Sequence, residues 1–413
     1  MHQNRLFALS VGLATALALS IFVGPAAQAQ KLNVLHNFTG SADGSVPDAG
    51  LTMDVAGNLY GTTHYGSPYS CGTVFKLGHK GSGWIFTPLY SFAGGSDGCS
   101  PYARVTIGPD GSLYGTTTGT YGTVFNLKSP AHPPRAILDP WSETVLYRFT
   151  GGHDGSGPFG DLVFDQEGTL YGTTYLGGAN GQGAAYELVP SDGGWTESVL
   201  YSFTGGNDGK WPLGGVIFDR SGNLYGTAHL GGEQGFGTVF ELTPSETGWT
   251  EKVLYHFEGR SDGANPRGAL IFDQSGNLYG TASAGGSYGC GTVFELISSP
   301  GGWTYNTLHI FNCDDGESPT SSLVLDVAGN LYGTTAYGGL SGCFGNCGVV
   351  FELTPNPNGL WTYTLLHEFT GSDGALPLGN VIFDANGNLY STAAYGGRYP
   401  CDNGCGVVWE ITP

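Results

Sequence analysis

The phrase Gly-Asn-Leu-Tyr-Gly-Thr at residues 57–62 returns at 222–227, 276–281 and 329–334, and in altered form at 111–116, 168–173 and 387–392. Its tyrosines (Tyr60, Tyr114, Tyr171, Tyr225, Tyr279, Tyr332, Tyr390) are 53 to 58 residues apart. A second phrase, Asp-Gly-x-x-Pro, precedes each copy. Its prolines (Pro47, Pro101, Pro158, Pro212, Pro266, Pro319, Pro377) each lie 13 residues before their Tyr. An aromatic, Phe38 in the first copy and Phe369 in the last, closes a β-like run ahead of each phrase, and six of the seven follow a Trp by eight residues. Self-similarity at a fixed period of this size means one supersecondary unit used many times.

One unit shows what the element is. In residues 214–257, GGVIFD, LYGTAHL, GTVFELT and WTEKVLYHF are four apolar or alternating runs. RSGN, GGEQGFG and PSETG separate them, with residues that tolerate turn conformations. Four short strands with short links read as an antiparallel meander. Seven such units predict an all-β fold, a seven-bladed β-propeller with four antiparallel strands per blade. A solenoid is the competing architecture, but solenoids end in atypical capping repeats. Here the last unit stops at its third strand, GVVWEITP (406–413), while KLNVLHNF (31–38) is a fourth strand with no unit before it. The N-terminal strand is therefore expected to complete the last blade and close the ring.

The first 29 residues stand outside this scheme. Arg5, the apolar run LFALSVGLATALALSIFV and Ala27-Gln28-Ala29 follow the plan of a signal peptide. The expected domains are a leader over 1–29 and the propeller over 30–413. A transmembrane anchor is the alternative for that run, which barely reaches the length a spanning helix needs. The expectation is an exported chain, secreted, periplasmic or on the cell surface, with no membrane span after cleavage. With 14 Lys and Arg against 34 Asp and Glu, a formal charge of −20 and no basic cluster, the chain would repel nucleic acid. The Gly content is high at 73, but the apolar residues recur too regularly for a disordered chain.

Eight cysteines in an exported chain point to disulfides. The repeat alignment puts Cys71, Cys290, Cys347 and Cys405 at one position, the start of the third strand. In blades one and five the end of the fourth strand, or the loop after it, carries Cys99 and Cys313. In blades six and seven the second Cys stands in the loop just before the third strand, as Cys343 and Cys401. The predicted pairs are therefore Cys71 with Cys99, Cys290 with Cys313, Cys343 with Cys347, and Cys401 with Cys405. Zinc ligation by the two Cys-x3-Cys pairs is the weaker reading, because two neighbouring loops would have to converge.

In such a meander the second-to-third-strand loops and the loops between blades share one face. Both vary and the cysteines gather there, so this is the expected working face. The Asp residues of the inter-blade loops (Asp43, Asp97, Asp154, Asp208, Asp262, Asp315, Asp373) read as turn formers rather than a calcium-binding ring. The informative positions are those where the repeat changes. One residue after each Pro come Asp48, Tyr102, Phe159, Leu213, Arg267, Thr320 and Leu378; three after it come Gly50, Arg104, Asp161, Gly215, Ala269, Ser322 and Asn380. Both sets open the innermost strands and are expected to ring the mouth of the central channel. The candidate ligand-binding residues are Asp48, Tyr102, Arg104, Asp161, Arg267 and Asn380, with Trp211 as an aromatic suited to stacking on a sugar ring. The alternative is drift at exposed positions. No catalytic signature, metal motif or cofactor motif is recognisable. His36, His309 and His367 align with strand tyrosines and read as packing aromatics, while His64, His153 and His229 lie on separated blades. Asp48 and Asp161 could face each other across the mouth as the acids of a glycoside hydrolase or lyase, although nothing in their spacing selects them.

The unit F-x-G-x-D-G-x-x-P, D-x-x-G-N-L-Y-G-T, G-T-V-F-E-L-T-P and Trp, nearly complete in residues 257–303, resembles the GloVer tandem repeat family of exported bacterial proteins. The resemblance implies a secreted or cell-surface repeat protein of undefined activity. Members often carry a C-terminal anchoring segment, and the end at Pro413 after a strand departs from that, which favours a free form. VFELTPSETGW (239–249) is more loosely similar to kelch-type propellers. Three functions remain in view: a monomeric binding module for an extracellular glycan or protein, a secreted glycoside hydrolase or lyase, and a structural surface protein.

Overall fold

A computed structural model describes residues 30–412, except 82, 131–139, 247, 341–346 and 402–403. The leader assigned to 1–29, and Cys343 with its expected bridge to Cys347, lie outside the described residues. The rest forms seven antiparallel sheets. Each is a meander in chain order, as in blade four: Ile217–Phe218, Leu224–Ala228, Thr238–Ser245 and Gly248–His256. We letter these strands A to D from the axis outward. The seventh sheet holds Ile382–Phe383, Leu389–Ala393, Val407–Thr412 and, as its D strand, the N-terminal Lys31–Asn37. Lys31 pairs with Thr412, so the ends of the chain close the ring as the sequence predicts.

The hydrophobic cores lie between blades rather than inside them. Tyr225, Val239 and Phe257 of blade four pack with Leu270, Leu278, Phe294 and Leu296 of blade five. The closing cluster joins Tyr390 and Val408 of blade seven to Leu51, Leu59, Phe75 and Leu77 of blade one, with Phe38 between them. A meander of four short strands has two apolar faces, and stacking like blades buries both.

The six letters of the repeated phrase each have a task in this packing. In blade four, Gly222 has φ +87° and makes the A–B turn. The Asn223 side chain and backbone N–H both donate to Asp219. Leu224 is buried. The Tyr225 hydroxyl donates to Asp219 and Glu241, while its ring meets Trp303 of the next blade edge-on. Gly226 lies under Phe240, where a Cβ would come within 2.6 Å of the ring. Thr227 donates its hydroxyl to Gly268 O of blade five. Blade two lacks the turn Asp, with Gly108 in its place, and Asp110 takes over by accepting from Ser112.

Strand A differs from expectation in length. Its ladder with strand B covers only two residues, as at Ile217–Phe218, and in most blades resumes as a single bridge above, as at Lys210 with Leu230, while in blade five it resumes as the short strand Ala264–Pro266. The Pro between these points has no N–H to donate to the ladder. The strand therefore bows toward the axis, where its carbonyls accept the Thr hydroxyls of the preceding blade, as Ala49 O does from Thr392 across the closure. The residue before each Pro has a positive φ in all seven blades, including Val46, Trp211 and Leu376. That conformation sends its N–H to the preceding blade and its C=O to its own strand B: Trp211 bonds Gln182 O at 2.9 Å and His229 N at 3.1 Å.

Candidate functional site

Three of the predicted disulfides form as the alignment expects: Cys71 with Cys99, Cys290 with Cys313, and Cys401 with Cys405. They do two different jobs. Cys99 and Cys313 lie in the inter-blade loops beyond the D strands Gly83–Ser91 and Gly302–Ile310, so their bridges tie those loops to the ends of the B–C loops. Cys401 lies within the B–C loop of blade seven, and its bridge to Cys405 pins that loop just ahead of the C strand Val407–Thr412. Both sulfurs there still back onto the inter-blade loop, since a Cβ on Gly40 would come within 2.7 Å of Cys401 Sγ and 3.4 Å of Cys405 Sγ. In blades two and four the aligned position holds Tyr121 and Phe236, whose rings cover the inter-blade loop at Gly151 and Gly259, where other blades have a disulfide.

The seven loop Asp residues act as turn acceptors. Asp154, for instance, takes Thr150 N at 2.7 Å, Thr150 Oγ1 at 2.6 Å and the Tyr147 hydroxyl at 3.1 Å. His36, His309 and His367 do pack as aromatics, and they also contact Asp43, Asp315 and Asp373 at 2.9–3.1 Å, a polar role the sequence reading did not give them. Among the described residues no group of three or more His, Cys, Asp or Glu is placed to hold a metal ion.

Both variable sets line one axial cavity of about 90 Å³, together with the small residues between them. The upper set alone lines its mouth. The smallness of the intermediate layer follows from close backbone approach: a Cβ on Gly160 would lie 2.7 Å from Gly215 N.

The candidate residues divide into two groups. In the lower layer Arg104 Nε meets Asp161 Oδ2 at 2.6 Å, and Asp161 Oδ1 accepts Arg104 N–H at 3.1 Å. These two lock blade two to blade three, so neither is free for a ligand. Asn380 is at the same level, packed so closely on Gly50 that a Cβ there would meet its Oδ1 at 2.1 Å. Trp211 is half-buried rather than free, its ring contacted by Tyr175 at 5.2 Å and Lys210 Nζ at 5.0 Å.

The mouth holds the second group. Asp48 is buried and its Oδ2 is 2.9 Å from His64 Nδ1. Tyr102 fits edge-on between His64 and Phe159, with ring centroids 5.7 and 4.8 Å away. Burial and the Asp48 carboxylate push its phenol above the ordinary value, and the nearby positive charge of Arg267 partly offsets them. Arg267 belongs to blade five and Tyr102 to blade two, nearly opposite, so the guanidinium lies close to the axis. No carboxylate among the described residues forms an ion pair with Arg267. His229 beside it is pulled down to about 4 by burial and by Arg267, so it is neutral.

A tyrosine arc overlooks this mouth. Tyr337, Tyr395 and Tyr65 end the B strands of blades six, seven and one, three neighbours in the closed ring. Burial raises the Tyr395 phenol, and Asp48, Tyr65 and Tyr337 add to the effect. Further out, Tyr69, Tyr288 and Tyr399 are exposed in the B–C loops. Every strongly exposed tyrosine or phenylalanine among the described residues lies in these loops or at the strand ends that open them. The sequence reading missed these aromatics because the loops differ in length and resist alignment. Glycine-flanked tyrosines such as Ser287-Tyr288-Gly289 were the available signal.

Comparison with known proteins adds the family. No curated protein matches the chain. Among solved structures, a proposed 6-phosphogluconolactonase from Bacteroides uniformis is similar with a TM-score of 0.50 and 16% identity, over 77% of this chain and 84% of that one. A proposed oxidoreductase (glucose dehydrogenase) from Thermus thermophilus has a TM-score of 0.44 and 19% identity, over 76% and 96%. At these identities the likeness speaks to fold alone. The signature of the Gloeobacter/Verrucomicrobia repeat matches residues 21–138, 121–302 and 247–413. The chain thus belongs to the Gloeobacter/Verrucomicrobia repeat family.

Proposed function

We propose that this is an exported carbohydrate-binding propeller that uses the face carrying the B–C and inter-blade loops. The observation that carries this reading is the confinement of exposed aromatics to that face, around a mouth with a few polar groups. Flat aromatic rings offer large contact area at low entropic cost, and loops rich in Tyr, Ser, Gly and Asn suit polar, hydrated ligands. Export is part of the proposal, supported by the pattern of residues 1–29 and by the disulfides. The hydrolase or lyase alternative has less support, because Asp48 and Asp161 lie against His64 and Arg104.

A glycan array tests the proposal. Binding is expected, with a loss of about tenfold or more on Tyr65→Ala combined with Tyr337→Ala, in a protein whose melting temperature is unchanged. Absence of binding across neutral and acidic glycans would reject it, as would full binding by the double variant.

A further inference from the structure

Among the described residues Arg267 has no ion-paired carboxylate, in a chain of formal charge −20. Its position is set by the fold: it follows Pro266 and lines the same mouth as Tyr102, close enough for its charge to act on the Tyr102 phenol. Arg104 is paired with Asp161, and the Asp48 carboxylate is hydrogen-bonded to His64. A guanidinium offers five donors in a planar fork. The Tyr102 hydroxyl is a single neutral acceptor, so most of that donor capacity is unused. His229, held neutral beside it, adds no competing charge. The ring of Phe159 lines the same mouth, and the phenols of Tyr65, Tyr337 and Tyr395 lie just beyond the B strands of the neighbouring blades on that face.

We propose that the axial mouth is a carboxylate site for acidic sugars, with Arg267 taking the acid group of a uronic acid residue. The fork matches a carboxylate with two parallel N–H···O bonds. The Tyr102 hydroxyl is placed to donate to the same group, and the tyrosine arc offers its rings to the sugar. This inference rests on the glycan-binding reading and narrows it to one ligand class.

Calorimetric titration of the protein with galacturonate and glucuronate, against galactose and glucose, tests it. The uronates should bind about 10- to 100-fold more tightly than their neutral counterparts, the range expected for hydrogen bonds to a charged group. Arg267→Gln should remove that difference, and Arg267→Lys should keep only part of it. Tyr102→Phe, which preserves the ring, should weaken uronate binding several-fold without affecting neutral sugars. Equal affinity for acidic and neutral sugars in the unaltered protein would overturn the inference without needing any variant to fold. So would a preference that survives Arg267→Gln, or equal binding by acetate and phosphate, which would mark a plain anion site. Neutral glycans bound with no acid preference would leave the broader reading standing and remove this one.

Discussion

The last letter of the repeated phrase shows how one atom joins two blades. The Thr hydroxyl in strand B donates to a strand A carbonyl of the next blade at 2.8 Å for Thr173 with Gly214 and 2.6 Å for Thr392 with Ala49. In blade two the corresponding Thr116 is fully buried and its hydroxyl has no partner. Two substitutions of the same chemistry should therefore differ. Thr173→Val should destabilise by about 1 kcal/mol, the net worth of one buried hydrogen bond. Thr116→Val should be neutral or stabilising, because it removes an unmatched polar atom. Urea denaturation of the pair checks both. The sequence marked these threonines as constant without showing why, since their partners lie about 40 residues ahead. The Arg104–Asp161 pair was hidden in a similar way. Opposite charges at the same place in successive repeats become neighbours only when blades stand side by side.

At the scale of the element, the outer D strands carry buried acids. Glu143, Glu197 and Glu251 lie on the D strands of blades two, three and four, and each has an Oε1 that is buried and unpartnered. Burial pushes all three up to about 7, and the carboxylates of Asp97, Asp154 and Asp208 from the preceding inter-blade loops add to it. Arg148 opposes the shift at Glu143 and the Tyr147 hydroxyl opposes it at Glu197. A carboxyl raised in the folded state favours folding below its unfolded value, near 4.5, and that contribution is lost as pH rises through about 7. Asp43, Asp154 and Asp373 work in the other direction. Burial alone would raise them, but hydrogen bonds from His36, from Thr150 and from His367 outweigh it and hold them low. Their contribution is present above the unfolded value and is lost only in stronger acid. Thermal melts should thus show greatest stability in mild acid, with the melting temperature falling between about pH 5 and 8. Replacing the three glutamates by Gln should flatten that fall, and a slope unchanged in the triple variant would contradict the account. The same outer position holds Tyr305 and Tyr363 in blades five and six, whose hydroxyls donate to Asp262 O and Asp315 O. No alignment of residue types announces that a Glu and a Tyr fill one place between blades.

For the whole molecule, the ring was legible because its signals are periodic. A fixed 13-residue interval put the mouth positions on one level, and the unmatched strands at the two ends gave the closure. The same alignment found the partners of Cys99, Cys313 and Cys401, because a bridge needs only to know which loops share a face. What periodicity could not supply was the chemistry of the mouth, which depends on residues from all seven blades meeting across the axis. Closure gives the strictest test of the architecture. Removing residues 30–38 takes away the strand paired with Val407–Thr412 and removes Phe38 from the closing core. Calorimetry should then show a broad or multiple transition well below the single one of the intact ring. A single sharp melt at an unchanged temperature would contradict closure by this strand.

The pairing of Lys31 with Thr412 also fixes an order of events during synthesis. The first strand to leave the ribosome is the one whose partner is made last. At ordinary elongation rates that wait is on the order of 20–80 s for a chain of 413 residues. Through that interval the first side of blade one and the outer side of the newest blade await a neighbour, and the first strand stays unpaired. A polypeptide built this way reaches its final shape only as a finished chain.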